Sequence, residues 1–218
     1  MPDLTVVITA TATEKGKTWL GAQLARLLAR RHVPVAARKP VQSFDPGDPI
    51  TDAQLLAAAT GEDPEMICPA HRWYPLAMAP PLAADALGRD RIGLGGLVEE
   101  IALPKRGIVL VEGVGGPRSP IAHDGDTVAL AAVLNADVVI VVSDANLGAI
   151  NAALLSVEAF GGRDALVFLN HFERDDPLHA ANREWLSERA KLDVFTTPHD
   201  LVARLVDRLS LEDRCLAP

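Results

Sequence analysis

Cysteine is nearly absent from this 218-residue sequence: Cys68 and Cys215 are the only two, and they form no paired motif. A disulfide scaffold is excluded, and the usage fits a reducing cytosol. Long apolar runs are missing too. Lys, Arg, Asp or Glu interrupts every stretch before it reaches bilayer length, so no membrane span is expected. An excess of positive charge is lacking, and the formal net charge of −8 argues against a nucleic-acid or anionic-membrane surface. The first residues, MPDLTVVITATATEKGKT, show no basic region followed by an apolar stretch and a cleavage site. No export signal is expected, and the chain is expected in the cytoplasm.

What is present is a core. Apolar residues make up 49% of the chain, which excludes intrinsic disorder, and the length predicts one domain spanning 1–218. Short β-branched runs alternate with segments at helical spacing. Leu4–Thr9, Ile108–Val111, Val138–Val142 and Ala165–Leu169 read as strands buried on both faces. Val33–Ala37 reads as another, ended by Pro40, and Val194–Phe195 as an edge strand. Leu20, Leu24, Leu27 and Leu28 mark one stripe of a helix reaching Arg31, and Asp52–Ala59 reads as a helix stopped by Gly61. Helices are also expected over residues 149–160, 179–191 and 201–209. Residues 64–104 are rich in Pro and Gly and read as an excursion on the sheet. Such alternation predicts an α/β fold with three layers, a doubly wound and mostly parallel sheet between helices. Ligands bind such sheets beyond the carboxyl ends of their strands.

Gly16-Lys17-Thr18 follows the first strand and opens the first helix. Backbone N–H groups and the positive end of a helix dipole meet there, so phosphate is the expected ligand. Lys17 would neutralise phosphate charge and the Thr18 hydroxyl would hold Mg²⁺. The strict phosphate-loop pattern fails, because Thr11 stands where its first glycine belongs. Glu112 ends the third long strand before Gly113, Gly115 and Gly116, where a carboxylate can hold Mg²⁺ or be an exposed turn residue. Taken alone, Lys39 reads as a solvated lysine at a strand terminus, and Asp52 as an acidic residue in a first helical turn. His123, Asp124 and Asp126 read as an acidic surface loop, and His171 and His179 lack ligand spacing.

Six segments, in order along most of the chain, together resemble the dethiobiotin synthetase family, within a wider P-loop group that includes MinD/ParA ATPases and cobyrinate amidases. Residues 10–18, Ala-Thr-Ala-Thr-Glu-Lys-Gly-Lys-Thr, are similar to the family's G-T-D-T-E-V-G-K-T. Lys39-Pro40-Val41-Gln42-Ser43 resembles K-P-V-x-[ST], and Thr51-Asp52-Ala53 resembles S-D-A. Residues 72–81 resemble R-Y-x-x-P-x-[SA]-P, residues 112–116 resemble E-G-A-G-G, and residues 147–151 resemble L-G-T-[IL]-N.

The resemblance implies a P-loop NTPase-like fold and an ATP- and Mg²⁺-dependent ligase. It would close a cyclic urea from 7,8-diaminononanoate and CO₂ through a carbamate and its phosphoric anhydride, as a homodimer with active sites at the subunit interface. Thr13, Glu14, Lys15, Gly16, Lys17, Thr18, Glu112 and Gly115 would surround the ATP phosphates, and Asn170 would read the base. Thr18, Asp52 and Glu112 would bind Mg²⁺. Lys17 and Lys39 would be catalytic, stabilising the carbamate and the transferring phosphoryl group. Thr13, Lys39 and Ser43 would line the diamine site, with Gly148 and Asn151 supplied by the partner subunit. A paralogue with another acceptor and a MinD/ParA-like nucleotide switch are the alternatives; the segments at Lys39–Ser43 and Leu147–Asn151 favour the ligase. Departures gather at the site. Ala10 replaces Gly and predicts a crowded loop, Ala12 removes a carboxylate and with Lys15 predicts a more cationic one, and Phe44 and Pro117-Arg118 replace residues of other kinds.

Overall fold

The computed structural model of the chain describes residues 2–215. In chain order the elements are β1 (Leu4–Ala10), α1 (Lys17–Arg30), β2 (Val35–Arg38), β3 (Gln42–Ser43), α2 (Asp52–Thr60), α3 (Pro64–Ile67), β4 (Trp73–Tyr74), α4 (Pro80–Ala86) and α5 (Leu94–Glu100). There follow β5 (Ile108–Glu112), β6 (Pro120–Ala122), β7 (Gly125–Asp126), α6 (Thr127–Val133), β8 (Val138–Asp144), α7 (Ala149–Glu158), β9 (Ala165–Asn170), α8 (Pro177–Glu184), β10 (Asp193–Phe195) and α9 (Pro198–Cys215).

Six strands form one sheet in the order β10-β9-β8-β1-β5-β2, and every pair in it is parallel. All seven residues of β1 are buried, because helices cover both faces. On one face Val6, Ile8 and Phe168 pack under Leu20, Leu24 and Leu28 of α1 and Leu201 and Leu205 of α9. On the other, Val7, Val109, Val111 and Val139 pack against Leu97 and Leu130 from α5 and α6. Each fully buried leucine contributes about 2 kcal/mol of transfer free energy to this sandwich. The expected three-layer α/β fold is therefore present.

From β1 the chain crosses to β2 at one edge, returns to β5, and only then turns to β8, β9 and β10 on the opposite side. The winding reverses around β1, and a crevice opens at the carboxyl ends of β1 and β5. Among the described residues no helix is long and apolar enough to cross a membrane.

Boundaries differ from the sequence expectations where local chemistry intervenes. β2 begins at Val35 rather than Val33, since Pro34 lacks an N–H and its carbonyl instead accepts from Ile108. It runs on to Arg38, whose buried guanidinium pairs with Glu62. The helix expected from His179 begins at Pro177, because the Asp176 carboxylate caps the N–H groups of Leu178 and His179. It ends in a π-helical turn over Trp185–Arg189. The terminal helix is longer than 201–209 and begins at Pro198. The excursion over residues 64–104 carries four short elements and a 3₁₀ turn over Ala70–Arg72, and β4 within it pairs in parallel with β3. The hairpin β6–β7 and the helix α6 were not foreshadowed by periodicity.

Candidate active site

The turn between β1 and α1 is shaped by backbone more than by side chains. Ala10 is fully buried in the face of the sheet that packs α1, so its Cβ points into the core and does not crowd the loop. Thr11 extends the pairing of β1, donating from its N–H to the Val142 carbonyl at 2.8 Å, so the loop does not need a glycine there. Glu14 takes a left-handed backbone (φ 59°), and Gly16 another (φ 94°). Gly16 is required on two counts: its φ disfavours a side chain, and a Cβ would sit 2.2 Å from Asn170 Nδ2. No side chain caps α1, leaving its N-terminal amides for an anion.

Four functional side chains converge beside that turn. The Thr18 hydroxyl lies 2.9 Å from Asp52 Oδ1 and 3.0 Å from Glu112 Oε1. The Lys39 ammonium bridges the same two carboxylates, 2.7 Å from Asp52 Oδ2 and 2.5 Å from Glu112 Oε1. Thus Lys39 is not the solvated terminus its position alone suggests, nor is Glu112 an exposed turn residue; their relative exposures are 3% and 1%. Burial pushes Glu112 above the usual carboxylate range, with the Lys39 charge opposing it. Burial also acts to lower Lys39, but the charges and hydrogen bonds of Asp52 and Glu112 outweigh it and hold the ammonium charged. Asp52 shows the converse balance: burial raises it, yet Lys39 holds it below the ordinary value. Lys17 is lowered by burial, with Glu112 opposing.

Lys17, Thr18, Lys39, Asp52 and Glu112 line one cavity of about 720 Å³ at the carboxyl ends of β1 and β5. Thr13, Glu14, Ser43 and Gly115 line it as well, so nine of the residues singled out from sequence meet in one place. Phe44, Met78, Pro80 and Ser119 complete the walls. Of these, Phe44 was noted only as a departure, and Ser119 was missed; its hydroxyl accepts from the Gly116 N–H at 2.8 Å, a role no local pattern announces. Ser43 donates its hydroxyl to the Met78 carbonyl, which joins β3 to the wall formed before α4.

The donor set suits a small hard cation. Two carboxylates and a hydroxyl are all oxygen ligands, and buried Glu112 Oε2 has no hydrogen-bond partner. Among the described residues no cluster of three or more His, Cys, Asp or Glu could hold a metal. His123 instead accepts from the Ile92 N–H and faces Asp85, while Asp124 and Asp126 bind the N–H groups of Leu94 and Ala129.

Other expected residues stand apart from the cavity. Asn170 lies on the far flank of the turn, where its Nδ2 donates to the Lys15 carbonyl at 3.0 Å. Lys15 does not enrich the cradle with positive charge, because its ammonium pairs with Asp144 at the end of β8. Lys15→Met is therefore expected to change the affinity for inorganic tripolyphosphate by less than about threefold, the scale of a partly exposed ion pair. Titration calorimetry checks this, and a tenfold loss would return the side chain to the phosphates. Gly148 (φ 93°) and Asn151 open α7 on an exposed face outside the cavity.

A family model described as an AAA domain matches residues 4–196. The chain is 33% identical to the ATP-dependent dethiobiotin synthetase of Haloferax mediterranei, over 94% of this chain and 91% of that protein. It is 35% identical to that of Anaeromyxobacter dehalogenans, over 90% and 92%. Among solved structures, a plasmid partition protein from Borrelia burgdorferi superposes with a TM-score of 0.53 at 12% identity, covering 98% of this chain and 99% of that one. The signal recognition particle receptor FtsY of Elizabethkingia anophelis gives 0.53 at 13% identity, over 95% and 65%. These two likenesses speak for the fold alone. Identity above 30% across nine-tenths of both chains, together with a cavity that unites five of the six matched segments, places this chain in the ATP-dependent dethiobiotin synthetase family.

Proposed function

We propose that this protein is an ATP- and Mg²⁺-dependent cyclo-ligase that makes dethiobiotin from 7,8-diaminononanoate and CO₂ for biotin synthesis. The observation that carries the reading is Lys39: its ammonium stands in one cavity with the phosphate turn on one side and the Ser43 wall on the other. That is the place where an anionic acceptor would meet a phosphoryl donor.

The chemistry follows from the charges. An amine of the substrate adds to CO₂ and loses a proton, giving a carbamate whose negative charge makes it a poor electrophile. Lys39 compensates that charge and orients a carbamate oxygen towards the γ-phosphate of ATP. Transfer of the phosphoryl group yields a carbamic-phosphoric anhydride and ADP. The second amine then attacks the carbonyl carbon and gives up a proton as phosphate leaves, and the urea ring closes with the advantage of proximity. Phosphoryl transfer asks the protein for positioning and charge compensation more than covalent help. Lys17 and the amides of the Gly16 turn supply these to the phosphates. Thr18, Asp52 and Glu112 would hold Mg²⁺, which when bound neutralises phosphate charge. Asn170 is assigned to the base, and Thr13 and Ser43 to the diamine.

Gly148 and Asn151 do not line this cavity in the same chain. The reading therefore includes a homodimer in which the amides at the start of the partner's α7 receive the substrate carboxylate. Incubation with the diamine, bicarbonate, Mg²⁺ and ATP should give a product with the mass of the cyclic urea and one ADP per ring. ATP hydrolysis without any urea would overturn the acceptor assignment.

A further inference from the structure

Trp19 is an aromatic residue without an assigned task. It follows Thr18 directly in the first turn of α1, yet it is 47% exposed while the next residue, Leu20, is fully buried. Its ring lies 6.4 Å from that of Phe168, tilted by 39°, so the indole stands on the β9 side of the helix. Phe168 and Asn170 are two residues apart on β9 and share a face of the sheet, the face that packs α1. Helical side chains lean towards the N-terminus and cover the turn three and four residues earlier. For Trp19 that turn is Lys15–Gly16, which is the segment Asn170 touches through its hydrogen bond to the Lys15 carbonyl.

The corner so formed has a flat apolar wall and a polar one. Asn170 is 6% exposed, and its Oδ1 accepts no hydrogen bond among the described residues. The corner is continuous with the phosphate turn through Thr18, on the flank away from the Lys39 cavity. A ligand whose phosphates sit at the amides of residues 16–18 would carry its remaining part past this point. We infer that Trp19 is a stacking surface for the nucleobase of the bound nucleotide, working beside Asn170. This deepens the nucleotide reading above and rests on it. The indole supplies affinity for any flat base, and the amide supplies the discrimination.

The contact is made by the base and not by the phosphates, which separates it from a structural role for Trp19. Base–aromatic stacking is worth roughly 5- to 100-fold in affinity per base. Trp19→Ala should weaken ADP binding by that factor, while inorganic tripolyphosphate binds the variant and the parent equally. Trp19→Phe, which keeps a ring, should recover most of the ADP affinity. Equal losses for ADP and tripolyphosphate would show that the helix start was disturbed, and would overturn the inference. So would unchanged ADP affinity in Trp19→Ala. If the parent protein binds neither ligand, the nucleotide reading itself fails and this inference with it. Calorimetry on the full chain reads the parent and both variants on one scale.

Discussion

Lys39→Met should lose turnover by roughly 10²- to 10³-fold while binding ATP within about threefold of the parent. The split follows from where the ammonium stands. It is not part of the turn at Gly16–Thr18 that would receive the phosphates; it faces the cavity between that turn and the Ser43 wall. An interaction made mainly with charge that develops during transfer lowers kcat and leaves ground-state affinity alone. The same change should also be felt by the fold. Glu112 and Asp52 approach one hydroxyl and share one counter-ion, and without Lys39 they face each other around Thr18. Removing one partner from such a buried group costs about 3–5 kcal/mol.

The pH dependence of that loss has a definite sign. Glu112 already lies above the usual carboxylate range through burial, and losing the Lys39 charge moves it further up. A carboxyl group whose folded-state pKa exceeds its unfolded value takes up a proton more readily when folded. The variant should therefore regain stability as pH falls from neutrality through the raised Glu112 value. Asp52 behaves oppositely in the parent protein. Its value is held down by Lys39 against burial, so its contribution is present above the unfolded value and is lost as pH falls through the lowered one. Urea midpoints for parent and variant across the acid range should converge downward in pH. Divergence would mean that Glu112 and Lys39 are not the pair the distances describe. Adding Glu112→Gln to Lys39→Met should restore stability without restoring turnover, which separates damage to the fold from loss of chemistry.

The sheet was legible in the sequence because its strands are buried on both faces. Ile108–Val111 and Val138–Val142 are unbroken β-branched or leucine runs, and only a covered parallel sheet calls for such runs. The phosphate turn was legible because a helix start after a buried strand is a local pattern. Lys39 and Asp52 were ambiguous for the opposite reason. A lysine at a strand end and an aspartate in a first helical turn are ordinary in isolation, and only the juxtaposition of β2, α2 and β5 makes them partners. Family resemblance, not spacing, singled them out. The Lys15–Asp144 pair was invisible, since the residues are 129 apart and each looks like a surface charge. Ala10 misled for a related reason: a sequence pattern shows that a glycine is missing but not which way the added Cβ points. β6, β7 and α6 are too short for periodicity to register, and the hairpin is held by contacts such as the Arg118–Asp126 pair.

Glu112→Gln should be the most selective lesion of the site: turnover down by roughly 10²- to 10³-fold with stability changed by no more than about 2 kcal/mol. The amide keeps an oxygen to accept from the Lys39 ammonium, and Lys39 keeps Asp52 as a counter-ion. The buried charge disappears, so its desolvation penalty goes with it, offsetting much of what the ion pair contributed. What the amide cannot do is offer a second anionic oxygen. Glu112 Oε2 is the buried atom left without a donor, and a cation is the partner best suited to it. In the parent protein Mg²⁺ should therefore raise the melting temperature further when ADP is present than when it is not. Glu112→Gln should abolish most of that increment while keeping the rise due to ADP alone. Thermal unfolding measures this without reference to turnover. Retention of the full Mg²⁺ increment would remove Glu112 from the metal site and leave Thr18 and Asp52 to hold the ion without it. The alternative role for Glu112 would then be purely to keep Lys39 charged and in place, and Glu112→Gln would slow the reaction through Lys39 alone.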